Sequence, residues 1–306
     1  MMNTSSKADS SYASPAHIDP SLYSLLGESD ATRIQYILKD RIIMHTPFKR
    51  ITNQVGWMMR EPIRTRARGL VVQGEPGFGK TTLGEYIQSR YPRRLDNATK
   101  KPLPFAVMIS MSGARDARTI YNRILETLNV PVAAYYRIAD RELTVLRVLR
   151  EINCRMLVLD EAQDIVNGSE REQLRALEAI KLLTNELHLP IVALGTKRVE
   201  RAFRADEHLA ARFAITALPQ WKRNDELLDF LAAYERTLPL RKASGLTSPA
   251  LVKAILKQSD GVLDHILRVL RFAAVYAIES GEERITLANL AAAEEFPDFE
   301  LLEDAA

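Results

Sequence analysis

The stretch Gly74-Glu75-Pro76-Gly77-Phe78-Gly79-Lys80-Thr81 decides the fold of this chain, because it fits the G-x-x-x-x-G-K-[ST] pattern of a phosphate-binding loop. The β-branched run Leu70-Val71-Val72 before it is typical of a buried strand, and residues 82–87 after it are typical of the start of a helix. Strand, loop and helix therefore follow in the order that the motif requires. The alternative is a chance glycine turn before a helix.

The residue types of this loop suit a nucleotide with its magnesium ion. Glycines allow positive φ and close backbone approach, so amide N–H groups can converge on an anion at the start of the helix. Lys80 is predicted to reach the β- and γ-phosphates, and the Thr81 hydroxyl to bind Mg²⁺. We expect a nucleotide and Mg²⁺ as cofactors, which the family resemblance described below identifies as ATP with Mg²⁺. The predicted nucleotide-binding residues here are Gly74, Glu75, Pro76, Gly77, Phe78, Gly79, Lys80, Thr81 and Thr82.

The composition is that of an ordinary globular protein. The 306 residues are 46% hydrophobic, and the net charge of +3 permits contact with nucleic acid without indicating it. The longest apolar runs are far shorter than the roughly 18 to 20 residues of a membrane span. The first residues also lack the apolar core of a signal peptide. We therefore expect a cytoplasmic protein with no membrane partner.

Strand and helix patterns alternate along the middle of the chain. This alternation predicts an α/β fold, with a parallel sheet flanked by helices on both faces. The predicted strands are Leu70–Val72, Phe105–Ile109, Met156–Leu159, Pro190–Gly195 and Phe213–Leu218. Beyond Trp221 only helical patterns remain, which predicts a small all-helical lid domain.

The predicted domain organisation has four parts. Residues 1–28 are rich in Ser, Ala, Pro and Asp and are expected to form a flexible arm. Residues 29–220 are expected to form the α/β nucleotide-binding domain, and 221–296 the helical lid. The acidic residues near the end predict a frayed tail over 297–306.

Two acidic residues follow the third predicted strand, and both point to phosphate chemistry. Asp160 at the carboxyl end of this strand is expected to face the same crevice as the phosphate loop and to bind the Mg²⁺ ion through water. Glu161 is then expected to orient and activate the attacking water. The alternative is a buried strand that leaves two acids at its exposed end.

Two further residues are candidates for sensing and stabilising the γ-phosphate. Thr196 follows the fourth predicted strand, where its hydroxyl could report whether the phosphate is attached; a plain strand-ending turn is the alternative. Arg212 precedes the fifth strand, where an arginine on a subunit edge could reach the neighbouring subunit's nucleotide. Arg201 and Arg204 are rivals for that role, and an ordinary surface arginine is the alternative.

Taken together, these sites make the chain resemble the AAA+ P-loop NTPases, and among them the TniB/TnsC family of transposition regulators. The broad resemblance rests on residues 74–81, Asp160-Glu161, Thr196 and Arg212. The narrower one rests on softer features. These are Asp160-Glu161-Ala162-Gln163, Leu194-Gly195-Thr196, Arg212-Phe213 with Leu218-Pro219 and Trp221, and the segment from Gly261 to Thr286.

The resemblance implies a Mg-dependent ATPase that regulates DNA transposition. Such proteins assemble in the ATP state on double-stranded DNA as a homo-oligomer or helical filament. They link a TniQ-type target-selection protein to the transposase, and hydrolysis drives disassembly. Basic and polar loops would contact DNA phosphates, for which the candidates are Lys100, Lys101, Arg115 and Arg118, although a solvated loop explains each as well.

Two other functions fit the same motifs. A helicase loader or another DNA-replication ATPase would share every strong motif, and its partner would be a replicative helicase. A signalling scaffold that uses nucleotide as a switch is the third hypothesis, which the paired acids Asp160 and Glu161 argue against.

Overall fold

The structure is a computed structural model that describes residues 16–62, 67–95, 100, 105–133 and 135–293. Two compact units make up the chain: residues 46–220, and residues 1–45 together with 221–306. Part of the expected arm (1–15), Lys101 and the expected acidic tail lie outside the described residues. No helix within the described ranges is both long enough and apolar enough to cross a membrane.

A five-stranded parallel sheet lies at the centre of the unit formed by residues 46–220. Its strands are β1 (Gly69–Gln73), β2 (Phe105–Ser110), β3 (Cys154–Asp160), β4 (Ile191–Gly195) and β5 (Phe213–Ala217). Their spatial order is β2-β3-β4-β1-β5, and each neighbouring pair is parallel. The predicted parallel sheet is confirmed, with all five strands within two residues of the predicted bounds.

Helices connect the strands and continue after the sheet. They are α1 (Asp30–Leu38), α2 (Thr46–Arg60), α3 (Lys80–Arg90), α4 (Ala117–Thr127), α5 (Ile138–Glu151), α6 (Glu170–Leu187), α7 (Lys197–Arg204), α8 (Glu207–Ala210), α9 (Asp225–Glu235), α10 (Pro249–Ser259), α11 (Leu263–Glu279) and α12 (Leu287–Ala292). Two 3-10 helices, Pro20–Gly27 and Ala162–Asn167, complete the described elements.

The central strands are apolar because both of their faces are covered. Leu70, Val71 and Val72 of β1 are fully buried, as a strand inside a doubly covered parallel sheet requires. Helix α3 packs close to the sheet at Gly84, where a Cβ atom would lie 2.8 Å from Met108 Cε of β2. The absence of a side chain at Gly84 therefore allows α3 to pack closely against the sheet.

The second unit is helical, and it contains α1 in addition to α9–α12. Ile34 and Ile37 of α1 belong to the same apolar core as Leu231 and Leu270. Within this unit the buried guanidinium of Arg33 donates to both carboxylate oxygens of Glu283, at 2.8 and 2.7 Å. Hydrophobic packing and an ion pair therefore hold α1 to the C-terminal helices.

This arrangement differs from the predicted domains in two places. The two units divide after residue 220, and residues 29–45 group with the C-terminal helices and not with the sheet. Residues 16–28, predicted to be part of a flexible arm, include a 3-10 helix with Ile18 and Leu22 buried. Amphipathic spacing reveals a buried face but does not reveal which unit covers it.

Candidate functional site

The loop between β1 and α3 ends in backbone N–H groups that no side chain caps at the start of α3. Gly77 and Gly79 have φ of 77° and 82°, a region that favours glycine. Gly79 is the N-cap of α3, and no side chain caps the helix there. The first amides of α3 are thus left for an anion, which the helix dipole also favours.

Lys80 lies inside this loop. It is 6% exposed, and its Nζ donates to the carbonyl oxygens of Gly74 and Glu75, both at 2.9 Å. Burial lowers the pKa of Lys80, against the opposing influence of the carboxylates of Glu161, Asp160 and Glu75. A cationic side chain is therefore held at the position where phosphate oxygens would meet the loop.

The other residues of the loop differ in exposure. Phe78 is buried and packs close to Gly74, where an added Cβ atom would lie 3.3 Å from Phe78 Cβ. Glu75 and Pro76 are exposed, as is Thr82 in the first turn of α3. Phe78 therefore anchors the loop in the protein interior, while Glu75, Pro76 and Thr82 remain accessible.

Thr81 in the first turn of α3 contacts Asp160 at the end of β3. The Thr81 hydroxyl donates to Asp160 Oδ2 at 2.8 Å. Asp160 is 5% exposed, and its Oδ1 is a buried atom without a hydrogen-bond partner among the described residues. Burial raises the pKa of Asp160, while the Thr81 hydrogen bond and the Lys80 charge oppose this rise.

The pair fits a magnesium ion. A buried carboxylate oxygen without a donor, next to a hydroxyl oxygen, is costly unless a further group binds it. Mg²⁺ prefers hard oxygen ligands and takes only one or two from the protein. Thr81 and Asp160 therefore have the chemistry to hold this ion beside a nucleotide in the loop.

Glu161, Gln163 and Thr196 form a second group at the same edge of the sheet. Gln163 Nε2 donates to Glu161 Oε2, and its Oε1 accepts from the backbone N of Thr196 at 3.2 Å. The Thr196 hydroxyl oxygen is buried and has no hydrogen-bond partner in the described part of the chain. It is thus available to an incoming acceptor or donor.

Strand order explains why residues distant in sequence come together. β4 lies between β1 and β3, so the carboxyl ends of these three strands are neighbours. Thr196 follows β4, Asp160 ends β3, and the phosphate loop follows β1. In open α/β sheets, ligands bind in the crevice beyond these strand ends.

Gln163 is a site residue that the sequence analysis did not assign. In the sequence it contributes only to the family resemblance of Asp160-Glu161-Ala162-Gln163. Gln163 lies against Gly195, where a Cβ atom would be 2.4 Å from Gln163 Oε1. That close approach between the two residues is visible only in three dimensions.

Arg212 lies at the opposite end of the sheet from the phosphate loop of its own chain. Its carbonyl oxygen accepts from Gly69 N at 3.0 Å at the beginning of β1, and its Nη1 donates to Asn185 Oδ1. The five residues of β1 span roughly 15 Å. Arg204 is exposed and paired with Glu200 at 2.7 Å, and Arg201 is exposed on the same helix.

The candidate DNA-contacting residues do not form one cluster along the chain. Arg115 and Arg118 are exposed where α4 begins, shortly after the carboxyl end of β2. Lys100 is exposed before β2, and Lys101 lies outside the described residues. Arg115 and Arg118 therefore share the sheet edge of the phosphate loop, whereas Lys100 precedes the opposite end of β2.

Comparisons with solved structures reveal the same fold in proteins of low sequence identity. The Aeropyrum pernix ORC1 protein in complex with DNA aligns with a TM-score of 0.60 at 14% identity, over 85% of this chain and 68% of that chain. The Aeropyrum pernix ORC2 protein in its ADPNP-ADP complexes aligns at 0.57 and 17% identity, over 87% and 73%. Drosophila ORC bound to DNA aligns at 0.57 and 14%, over 96% and 70%.

These neighbours share the AAA+ fold, and at such identities the likeness concerns the fold alone. No curated protein matches the sequence. The model of the family described as "Bacterial TniB protein" matches residues 33–223, which is more than half of the chain. The chain therefore belongs to the bacterial TniB family and has the AAA+ fold.

Proposed function

We propose that this chain is a Mg-dependent ATPase that regulates DNA transposition. The observation that carries the proposal is the hydrogen bond between Thr81 and Asp160, which joins the phosphate loop to the acidic end of β3. Membership of the TniB family supports the connection with transposition. The geometry of the site supports ATP hydrolysis as the reaction, and the family supports DNA transposition as the process that the reaction serves.

In this proposal the phosphate loop binds the triphosphate of ATP. Amides at the start of α3 donate to phosphate oxygens, and Lys80 exchanges its contacts with the carbonyls of Gly74 and Glu75 for the β- and γ-phosphates. Thr81 and Asp160 would hold Mg²⁺. When bound, this ion supplies charge that stabilises the phosphates during transfer.

Glu161 acts as the base and Thr196 as the sensor. Glu161 orients the attacking water and takes its proton as the water oxygen bonds to the γ-phosphorus, while the bond from that phosphorus to the bridging oxygen breaks and ADP leaves. The buried Thr196 hydroxyl donates to a γ-phosphate oxygen, which satisfies an atom that otherwise lacks a partner among the described residues. Loss of the γ-phosphate removes this bond and distinguishes the ADP state.

Nucleotide state would control assembly on DNA. We infer that ATP-bound subunits form a homo-oligomer or helical filament on double-stranded DNA, in the cytosol or nucleoid of a bacterium. They receive a TniQ-type target selector and recruit the transposase, and hydrolysis disassembles the polymer. The exposed Arg115 and Arg118 are suited to DNA phosphates, since both carry fixed positive charge close to the nucleotide edge of the sheet.

A DNA-replication ATPase such as a helicase loader is the second candidate. The fold shared with the ORC proteins is compatible with it, but a likeness of fold does not determine function. Co-purification with a transposase and a TniQ-type protein would support transposition. Co-purification with a replicative helicase would support the alternative. A nucleotide-switch scaffold would bind ATP without measurable turnover.

The direct test compares wild-type protein with Glu161→Gln. The variant keeps the shape of the side chain but cannot accept the proton, so ATP should bind and hydrolysis should fall at least about 100-fold. Electron microscopy with duplex DNA should then show a persistent assembly with ATP for the variant. Wild-type protein should show it only with a slowly hydrolysed analogue, and not with ADP.

Glu178→Gln is the matched control, because Glu178 is an exposed glutamate on α6. It should hydrolyse ATP at the wild-type rate. Normal hydrolysis by Glu161→Gln would refute the assigned base. Absence of any assembly on DNA in all nucleotide states would refute the proposed regulator.

A further inference from the structure

The side chain of Gln163 joins two strand ends. Its Oε1 accepts from Thr196 N at 3.2 Å, and its Nε2 donates to Glu161 Oε2. Because a backbone N–H can only donate, the atom that faces Thr196 must be the amide oxygen. The amide nitrogen is thereby directed at the Glu161 carboxylate.

The surroundings hold this amide in place. Gln163 is 8% exposed, and the neighbouring Ala162 and Ile165 of the same 3-10 helix are fully buried. Glu161 itself has φ of 55°, so the backbone turns sharply where β3 ends and the 3-10 helix begins. A buried side chain on a packed turn has little freedom to choose another partner.

Gly195 provides the space that the amide occupies. A Cβ atom at this position would lie 2.4 Å from Gln163 Oε1, 3.2 Å from Gln163 N and 2.4 Å from Val199 Cγ2. Real Cβ atoms do not approach oxygen or carbon this closely, so a side chain here would displace the amide. The end of β4 is thus shaped to receive Gln163.

We propose that Gln163 is a positioning residue that couples the Glu161 carboxylate to the strand end carrying Thr196. This inference rests on the proposed ATPase function. Any shift of the Thr196 segment on contact with a γ-phosphate is passed through the two hydrogen bonds to Glu161. The position of the Glu161 carboxylate therefore follows the position of Thr196. In this proposal Gln163 contacts neither the phosphate nor the attacking water.

The chemistry requires an amide at this position. Glutamate has the same shape and keeps the acceptor for Thr196 N, but it places a second acceptor against the Glu161 carboxylate. Leucine is of similar size and offers neither hydrogen bond. Comparing Gln163→Glu with Gln163→Leu therefore separates loss of the donor alone from loss of both partners.

The first test measures hydrolysis and nucleotide affinity separately in the full chain. Both variants should lower kcat about 10-fold to 100-fold, the scale seen when a group that orients a reactive one is removed. The Kd for a non-hydrolysable ATP analogue should change by less than about threefold, since Gln163 does not contact the phosphates. Wild-type kcat in both variants would overturn the inference. A parallel loss of affinity and kcat would also overturn it, because it would indicate general damage to the site.

Gln173→Leu is the matched control. Gln173 Nε2 donates to the carbonyl oxygens of Val166 and Gly168, at 3.2 and 2.9 Å, so it supports the same 3-10 helix at its other end. This variant should lower the unfolding temperature while keeping the wild-type kcat. If it lowered kcat as strongly as Gln163→Leu, damage to the segment would explain both, and positioning by Gln163 would be refuted.

The second test exchanges donor and acceptor and needs no catalysis. In Glu161→Gln/Gln163→Glu, the new amide can donate to the new carboxylate, whose other oxygen can still accept from Thr196 N. The double variant should recover most of the unfolding temperature lost by Gln163→Glu alone, as a double-mutant cycle would reveal. If the unfolding temperature did not recover, the contact between Gln163 and Glu161 would be refuted.

The two tests distinguish failure of this inference from failure of the proposed function. A wild-type protein that binds but never hydrolyses ATP would refute the proposed function, whatever the exchange test shows. A hydrolysing wild-type protein with unaffected Gln163 variants would refute only the positioning role.

Discussion

The hydroxyl of Thr81 lies 2.8 Å from Asp160 Oδ2, although 79 positions separate the two residues in sequence. The bond links the first turn of α3 to the end of β3, with β4 between β1 and β3 in the sheet. It also leaves Asp160 Oδ1 buried and unpaired among the described residues. An ion that replaced this hydrogen bond could take one oxygen from each residue.

Replacing Thr81 by valine should therefore remove the effect of Mg²⁺ on nucleotide affinity. Valine keeps the shape of the side chain and lacks the hydroxyl. Without this ligand for the ion, ATP affinity in the presence of Mg²⁺ should fall about tenfold, which corresponds to about 1.4 kcal/mol. Isothermal titration with and without Mg²⁺ measures it.

Thr81→Ser is the control for that experiment, because serine keeps the hydroxyl. It should retain the Mg²⁺-dependent gain in affinity. If Thr81→Val retained the gain as well, the hydroxyl would not be a metal ligand.

Gly195→Ala should damage both stability and hydrolysis. The added methyl group would lie 2.4 Å from Gln163 Oε1 and from Val199 Cγ2, and overpacking of this kind typically costs about 1 to 3 kcal/mol. Thermal unfolding and kcat are the measurements. Gly27→Ala is the control, because nothing lies within 4 Å of its Cβ position; equal unfolding temperatures for the two variants would contradict the close approach.

The sheet and the phosphate loop could be predicted from sequence because their signals are local. A run of β-branched residues such as Leu70-Val71-Val72, followed by a glycine-rich turn, contains most of what determines strand and loop. Helix α6 is similar, because Ser169 and Glu172 form a capping box at its start, a signal that spans only four residues.

The features that could not be predicted depend on distant partners. The pattern of Ile34 and Ile37 indicates a buried face, but the residue that holds α1 in place is Glu283, 250 positions away from Arg33. The role of Gln163 depends on the backbone N of Thr196, which no side-chain motif reveals. Sequence patterns indicate which face of an element is buried. Tertiary contacts determine which other element covers that face.

Glu283→Gln should destabilise the helical unit. Arg33 is fully buried, and Glu283 gives it two hydrogen bonds while also accepting from Arg241 Nη1 at 2.8 Å. Removing the charge leaves the guanidinium with Asp30, whose side chain is 62% exposed. Loss of one partner of a buried pair costs about 3 kcal/mol or more in the free energy of unfolding, which calorimetry can measure.

Glu282→Gln provides the comparison for that loss. Glu282 is paired with Arg284 at 3.0 Å, and the two side chains are 42% and 51% exposed, so about 0 to 1 kcal/mol is expected. Equal effects at positions 282 and 283 would show that burial of Arg33 does not determine the cost.

Acid should weaken the helical unit through His45. Burial lowers the pKa of His45 from 6.5 to about 4, and its ring lies 5.1 Å from the Trp221 ring, edge to face. The folded state therefore requires neutral imidazole. This contribution to stability is complete above pH 6.5 and is lost as the pH falls through about 4, because the unfolded chain binds the proton first.

His45→Phe should accordingly flatten the fall of the urea midpoint between pH 6.5 and 4, with Trp fluorescence as the signal. His208 is exposed in the other unit, and His208→Gln should keep the wild-type slope. A wild-type slope in His45→Phe would refute the assignment.

Arg212 should act on the nucleotide of a neighbouring subunit, because it lies at the beginning of β5, at the sheet end opposite its own phosphate loop. Arg212→Ala and Lys80→Ala should each be inactive alone. Mixed in equal amounts, they should recover hydrolysis, since about a quarter of randomly formed head-to-tail interfaces would join an intact loop to an intact Arg212. Pairing Lys80→Ala with Arg201→Ala or Arg204→Ala tests the rival arginines. If Arg212→Ala remained active alone, or if the mixture stayed inactive while each variant still bound DNA or assembled, the role of Arg212 in trans would be wrong.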